Sequence, residues 1–446
     1  MKKTKILTTI FGAGTLLASA PILATSCSNN DEKVNETENY VKFAGTKLTI
    51  DHALNQADLN AMQPTDYTFS DGTTHKAIFI DGTPYPIVNI TELQIGNCND
   101  EILTIPEKFL MGGPVTATSI EETCVSLQKL DLHGIKTTTF YDTPLTKTDH
   151  TVWCPNVVEI NVPTLVNQDD TMSVDYFLYT DDPEIHGGLP ALKKINLAGL
   201  KEARNIGSDF LEESKSLTDV INLNCLSNVK SIGHYFMQEC PMLKTIDLSA
   251  FSNVTLIGEN FLSGCTSLTS IDLSSLAKLE ANIQSNFLKG CTSLESVKLP
   301  SQCDATGIDD DFLGNCTSLK SIDLSGFTKV TEIGGGFLSG CSSLTSVDMS
   351  KLTSLTYIGN TFLYNCTSIT DVNMGTISPD DIGPLNNNKG FVMSLTQEEY
   401  NSYEGIKLTV DSTVEDDWNT AKGSGQRFAP IAWSGSGSAD CRKWKA

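Results

Sequence analysis

Positive charge is scarce in this chain of 446 residues. There are 31 Lys and Arg against 54 Asp and Glu, a net charge of −23. Removing Lys2, Lys3 and Lys5, which fall in a segment expected to be cleaved, leaves 28 against 54, a net of −26. Such a field repels phosphate backbones and anionic headgroups. It excludes nucleic acid as a partner and argues against peripheral docking on an acidic bilayer. Charge of either sign is low, at 19% of residues against roughly a quarter in ordinary globular chains; Ser, Thr and Asn take its place. Histidine is limited to six scattered residues. Neither His-Glu-x-x-His nor Gly-x-Ser-x-Gly occurs, so no catalytic constellation stands out and no enzymatic activity is expected. Cys-x-x-Cys is absent too, which removes the common zinc spacing, and no cofactor is expected. Asp309, Asp310 and Asp311 lack the alternation and the Gly of a calcium loop; they are expected to cap a short helical turn. Gly334, Gly335 and Gly336 lack the Lys-Ser/Thr of a phosphate loop. After residue 27 no stretch approaches the length of a membrane span.

The opening residues differ from the rest. Lys2, Lys3 and Lys5 precede an apolar run from Ile6 to about Ala24, and small residues lead up to Cys27. Basic start, apolar stretch and small residues read as an export signal. A Cys placed directly after them resembles the lipobox of bacterial lipoproteins, with Ala24 where Leu is usual and Leu23 one place further back. Cys27 is then the acylated new N-terminus and the contact with the lipid bilayer. The alternative is ordinary cleavage with an unmodified Cys. The expected divisions are a signal peptide at 1–26, the lipidated Cys and a polar tether at 27–40, an N-terminal cap at 41–89, repeats at 90–377, a C-terminal cap at 378–433 and a tail at 434–446.

The middle of the chain repeats. Phe210, Phe236, Phe261, Phe287, Phe312, Phe337 and Phe362 are separated by 26, 25, 26, 25, 25 and 25 residues. An Ile precedes each by four places, and an apolar residue follows each by seven. Apolar triplets such as Leu268, Ile271 and Leu273 put alternate side chains on one side of a short strand. Phe-Leu-x-Gly-Cys reads as a turn or short helix on the opposite face. Irregular copies fit the same frame at Ile90/Leu93/Ile95, Leu127/Leu130/Leu132, Val157/Ile160/Val162 and Leu192/Ile195/Leu197. Seven more follow, about 11 rungs in all. One unit cannot bury its own apolar side, so stacking must supply the core.

The run Ile257-Gly-Glu-Asn-Phe261-Leu-Ser-Gly-Cys265-Thr-Ser-Leu268-Thr-Ser-Ile271-Asp272-Leu273 resembles the BspA-like leucine-rich repeats of bacterial surface proteins. The N-terminus is similar to lipoproteins of wall-less bacteria. The resemblance implies an α/β-type leucine-rich-repeat solenoid of short parallel strands with helical or turn segments opposite. It departs from ordinary leucine-rich repeats in lacking their Asn ladder.

Cys124, Cys154, Cys240, Cys265, Cys291, Cys316, Cys341 and Cys366 share the position three before the first strand residue. A fixed register suggests stacked buried thiols; disulfides and a metal site are the alternatives. A polar column, read as Asp131, Asn161, Asn196, Asn222, Asp247, Asp272, Lys298, Asp323, Asp348 and Asn373, must point away from the core. With Ser249, Ser274, Ser325 and Ser350 it forms an acidic stripe, either a hydrated sheet surface or a binding face. The insertion 168–188, with Tyr176, Tyr179, Asp181 and Asp182, is a second candidate.

The resemblance implies adhesion to host or matrix proteins or to neighbouring cells, from the extracellular face of the bacterial membrane. The alternatives are a variable surface antigen or shield without one ligand, and a solute-capture lipoprotein.

Overall fold

A computed structural model describes residues 40–51, 54–97, 102–106, 109–110, 126–138, 154–166, 173–175, 177–178, 189–382, 394–395, 406–423, 432–433 and 444–445. Short parallel strands stack in the register that the apolar triplets predict. Leu93 lies opposite Leu130, Leu130 opposite Ile160, Ile160 opposite Ile195, and Ile195 opposite Val220. Further along, Ile271 pairs with Val297 and Val347 with Val372. The chain is a leucine-rich-repeat solenoid with few helices.

The N-terminal strands continue this sheet. Tyr40–Ala44 and Lys47–Asp51 form an antiparallel hairpin, and the second strand then pairs in parallel with Glu92–Asn97. Beside it, Thr65–Thr68, Thr74–Ile80 and Thr83–Pro86 make an antiparallel meander. Its second turn is the two-residue Asp81-Gly82, both left-handed at φ 50° and 73°, as a hairpin that follows the strand twist requires. At the other end, Ile406–Val410 adds in parallel to Asp371–Gly375. The helix Glu415–Gly423 follows. Trp418 is fully buried there, and its indole N–H donates to the Ile377 carbonyl at 2.9 Å.

The opposite side is not helical in any regular copy. The residues one before, one after and three after each Phe are left-handed. Asn260, Leu262 and Gly264 have φ of 60°, 53° and 76°, and Asn286, Leu288 and Gly290 repeat the pattern. A left-handed Leu costs about 1–2 kcal/mol, so the surroundings must fix it. They do so with hydrogen bonds between rungs. Leu262 N–H donates to Phe236 O at 3.0 Å, Leu288 to Phe261 at 3.0 Å and Leu313 to Phe287 at 2.9 Å. The Ile four before each Phe forms a second parallel ladder, Ile206 to Ile232 to Ile257 and Ile308 to Ile333 to Ile358. Rungs approach so closely beside it that a Cβ on Gly258 would lie 2.6 Å from the Gly233 carbonyl carbon.

Between the two ladders the Phe rings stack. From Phe177 through Phe210, Phe236, Phe261, Phe287, Phe312 and Phe337 to Phe362, the seven consecutive centroid distances run from 5.0 to 5.9 Å, with planes within 20°. The rings from Phe177 to Phe337 are at most 2% exposed. Burying each is worth roughly 1.5–3 kcal/mol.

Two expectations are corrected. Asp309, Asp310 and Asp311 cap no helical turn, because none follows; they brace adjoining rungs. Asp309 accepts from Asn282 Nδ2 at 2.9 Å, Asp310 from Gly335 N–H at 2.6 Å, and Asp311 pairs with Lys289 at 2.8 Å. Asn222 is not in the polar column: Ile221 lies opposite Asn196. Asn222 turns left-handed at φ 60°, and its amide reaches Asn196 Oδ1 at 2.7 Å.

Candidate functional site

Alternation along each strand sends two registers outward. The register containing Asp247, Asp272, Asp323 and Asp348 is exposed, as are Ser249, Ser274 and Ser325; Ser350 and Asn373 are half-buried. The carboxylates have a local structural role. Each accepts the backbone N–H two residues on, from Ser249 at 3.0 Å and from Ser274, Ser325 and Ser350 at 2.9 Å; Asn373 accepts from Gly375 at 3.1 Å. Short polar side chains favour this turn. It ends each strand and aligns the carboxylates one rung apart.

Those bonds also favour the charged form. The Ser249 hydroxyl, then its N–H, hold Asp247 below the usual carboxylate range, and Ser325 does the same for Asp323. Asp272 is held lowest, at about 2, first by the Lys298 ammonium at 2.8 Å and then by Ser274. Lys298 is the single cation in this stretch of the register and lies directly opposite Asp272.

A second outward register, two residues earlier, was not read from the sequence, and it differs between the two halves. From the N-terminus it runs Lys47, Glu92, Lys129, Glu159, Lys194 and Asp219, each opposite the next. The signs alternate without a break. Lys129 and Glu92 are 3.5 Å apart, and Lys194 and Glu159 2.6 Å. Lys47, Glu92, Lys129 and Glu159 border a shallow groove of ≈ 190 Å³. In the regular half the register becomes Ser270, Ser296, Ser321 and Ser346, all exposed. Aligning strand residues at a fixed offset would have exposed both patterns.

The cysteine column is buried. Cys265, Cys291, Cys316, Cys341 and Cys366 are free thiols, each donating to the carbonyl of the Leu or Met that follows the preceding rung's Phe, at 3.1–3.3 Å. Cys240 does the same to Leu211 at 3.3 Å. Burial pushes the Cys265 and Cys341 thiols up to about 12, and raises Cys240, Cys291, Cys316 and Cys366 as well. A thiol without a thiolate is a poor nucleophile and a poor metal ligand. Among the described residues no cluster of His, Cys, Asp or Glu could hold a metal ion, and no helix is long and apolar enough to cross a membrane. Cys27, Cys124, Tyr176, Tyr179, Asp181 and Asp182 lie outside the described residues.

Strand column, turn ladder and phenylalanine stack define a leucine-rich repeat. The family described as BspA type Leucine rich repeat region matches residues 188–304 and 278–383, in six copies. Those residues are similar to that family along nearly the whole regular half. None of the curated proteins matches the chain. Among solved structures, it is similar to a leucine-rich repeat protein from Bacteroides ovatus at 18% identity, covering 70% of this chain and 93% of that one, TM-score 0.34. It is also similar to a leucine rich cell surface protein from Faecalibacterium prausnitzii, at 14% identity, 76% and 95% coverage and TM-score 0.23. The pneumococcal vaccine antigen PcpA is 13% identical, with 89% and 95% coverage and TM-score 0.23.

Proposed function

We propose that the chain is a protein-interaction scaffold on the extracellular face of a bacterial membrane, held there by acylated Cys27. Its partners are basic or polar surfaces on host, matrix or neighbouring-cell proteins. The contact face is the strand side of the regular half: Asp247, Asp272, Asp323, Asp348 and Asn373 with their serines, beside the Ser270 to Ser346 column. The supporting observation is the contrast between the halves. In the first, opposite charges neutralise one another strand by strand. In the second, aligned carboxylates are exposed, and Asp247, Asp272 and Asp323 are held ionised, with Lys298 as the lone cation among them. Such a face attracts positive charge and weakens with salt. Repeat solenoids in general bind on extended faces of this kind. The basic, apolar and small-residue start before Cys27 supports export and anchoring. Tyr176, Tyr179, Asp181 and Asp182 of the insertion 168–188 are a second candidate contact.

A surface shield without a single ligand is the second reading. It is favoured by identical segments such as Gly-Cys-Thr-Ser-Leu at 264–268 and 290–294, which permit recombination. Fragment 28–446 and its variant with all four aspartates changed to Asn are offered to host cells and matrix proteins. The scaffold reading predicts binding by the parent that falls severalfold in the variant. Equal binding removes the stripe from the site, and no binding by either favours the shield. Cys27→Ala should abolish lipid labelling and membrane partition; unchanged partition refutes the anchor.

A further inference from the structure

An antiparallel sheet that packs on a core through one face is commonly polar on the other. The meander of Thr65–Thr68, Thr74–Ile80 and Thr83–Pro86 is not. Ile78, Ile80 and Tyr85 form its buried side. Alternation sends the opposite register outward, and pairing across the strands gathers it. Tyr67 lies opposite His75, Phe79 opposite Pro84, and Ala77 opposite both Thr65 and Pro86. Tyr67 makes edge contacts with two rings, Phe69 at 4.9 Å and Phe79 at 5.6 Å, and Phe69 lies 6.3 Å from the His75 ring. Ala77 is fully buried although it faces outward, so its larger neighbours roof it, while Tyr67 stays 36% exposed.

The patch departs from the rest of the chain in charge as well. Within the three strands the outward register holds no carboxylate, in a protein of net charge −23. Asp66 and Lys76 pair at 3.4 Å in the other register, and Asp71 and Asp81 stand in the turns. Exposed apolar patches mark contacts with a partner or a membrane, and the place of this one selects the membrane. Tyr40, where the first strand begins, follows Cys27 by 13 residues, a span that reaches at most about 45 Å. That strand lies against the meander, with Phe43 in edge contact with Tyr85 at 6.2 Å. Acylation at Cys27 therefore keeps this cap within one leash length of the bilayer.

Resting on the anchor described above, we propose that the patch of Tyr67, Phe69 and Phe79 seats the N-terminal cap in the headgroup layer of the bilayer that holds the protein's own acyl chains. Tyrosine suits that layer, because its ring is apolar and its hydroxyl wet. So acidic a chain gains no attraction from anionic lipid, and the contact is one of aromatic insertion. Three rings alone hold a protein weakly, but the leash makes the contact intramolecular and raises its effective concentration. Seating by one end gives the repeats a fixed orientation instead of a free pivot.

The mature chain, with a hexahistidine tag in place of Cys27, is tied to nickel-chelating lipid in phosphatidylcholine vesicles and footprinted with hydroxyl radicals, read by mass spectrometry. The tag replaces the acyl group, so the result does not depend on whether Cys27 is lipidated: retained partition of Cys27→Ala refutes the anchor, whereas an unprotected Tyr67 refutes the seat. Relative to the same protein free in solution, Tyr67, Phe69 and Phe79 should be protected about fivefold or more. Tyr357, 43% exposed in the far rungs, should be oxidised equally in both. Protection should survive molar salt, and in Tyr67→Ser/Phe79→Ser the remaining Phe69 should lose it. Equal oxidation of Tyr67 on vesicles and in solution overturns the proposal, and this is read on the parent, whatever the folding of the variant. Protection that requires phosphatidylglycerol or vanishes in molar salt makes the contact electrostatic and overturns it. Protection that arises without vesicles as the protein is concentrated assigns the patch to a second copy and overturns it too.

Discussion

In the irregular half the strands carry the order: Tyr40–Ala44 through Asp219–Ile221 form one sheet of seven, braced by alternating charges. In the regular half the same strand positions break into sheets of two and four. There the order moves to the other columns, with stacked Phe rings, a thiol ladder and left-handed turns repeating without interruption. A rung held by its interior and its turn makes little demand on its strand surface. That surface can then be given over to hydroxyls and to carboxylates of which Asp272 alone has a cation opposite it in the column, whereas the irregular half uses its strand surface to hold itself together.

The largest expected effect is therefore inside the regular half. Phe287→Ala removes a ring stacked on both Phe261 and Phe312. It should cost about 3–5 kcal/mol in denaturant unfolding; a loss below about 1 kcal/mol would deny the stack its role. Cys316→Ala removes the thiol donor from the Leu288 carbonyl, leaving it the longer bond from the Cys291 N–H at 3.4 Å, and should cost about 1 kcal/mol, with Cys316→Ser recovering part of it by keeping a donor. Glu159→Lys places three lysines in a row with Lys129 and Lys194. It should cost about 0.5–1 kcal/mol at low salt, and less at high salt. Smallest is Lys298→Ala, an exposed pair worth a few tenths of a kcal/mol. Its clearer mark is Asp272, whose carboxyl should titrate closer to the ordinary range by NMR. The bond to Lys298 is present above that range and is lost as pH falls toward 2.

The apolar columns were legible because their period of about 25 is written in side chains that must be buried. Register at Leu93, Leu130, Ile160 and Ile195 followed from spacing alone, even across irregular copies. Backbone handedness was not legible. Leu262 and Leu288 are left-handed because neighbouring rungs hold them, and a Leu gives no sign of that; only Gly264 and Gly290 hint at it. Asn222 was misplaced by one position because a polar residue there imitates the column that Ile221 in fact occupies. Nothing in the sequence marks Asp209 and Glu212 as buried, since their burial depends on rungs stacked above and below. The Asp stripe was visible as charge, but its bonds to backbone N–H groups depend on turn geometry.

The contrast between the halves is tested most directly by neutralising each in turn. One variant carries Asp247, Asp272, Asp323 and Asp348 as Asn, and the other carries Glu92 and Glu159 as Gln. Binding of each to immobilised matrix proteins is followed across a salt titration beside the parent. The first should lose affinity and salt dependence together, and the second should bind like the parent with lower stability. Equal binding by the first variant and the parent, or a greater loss in the second, would contradict the account.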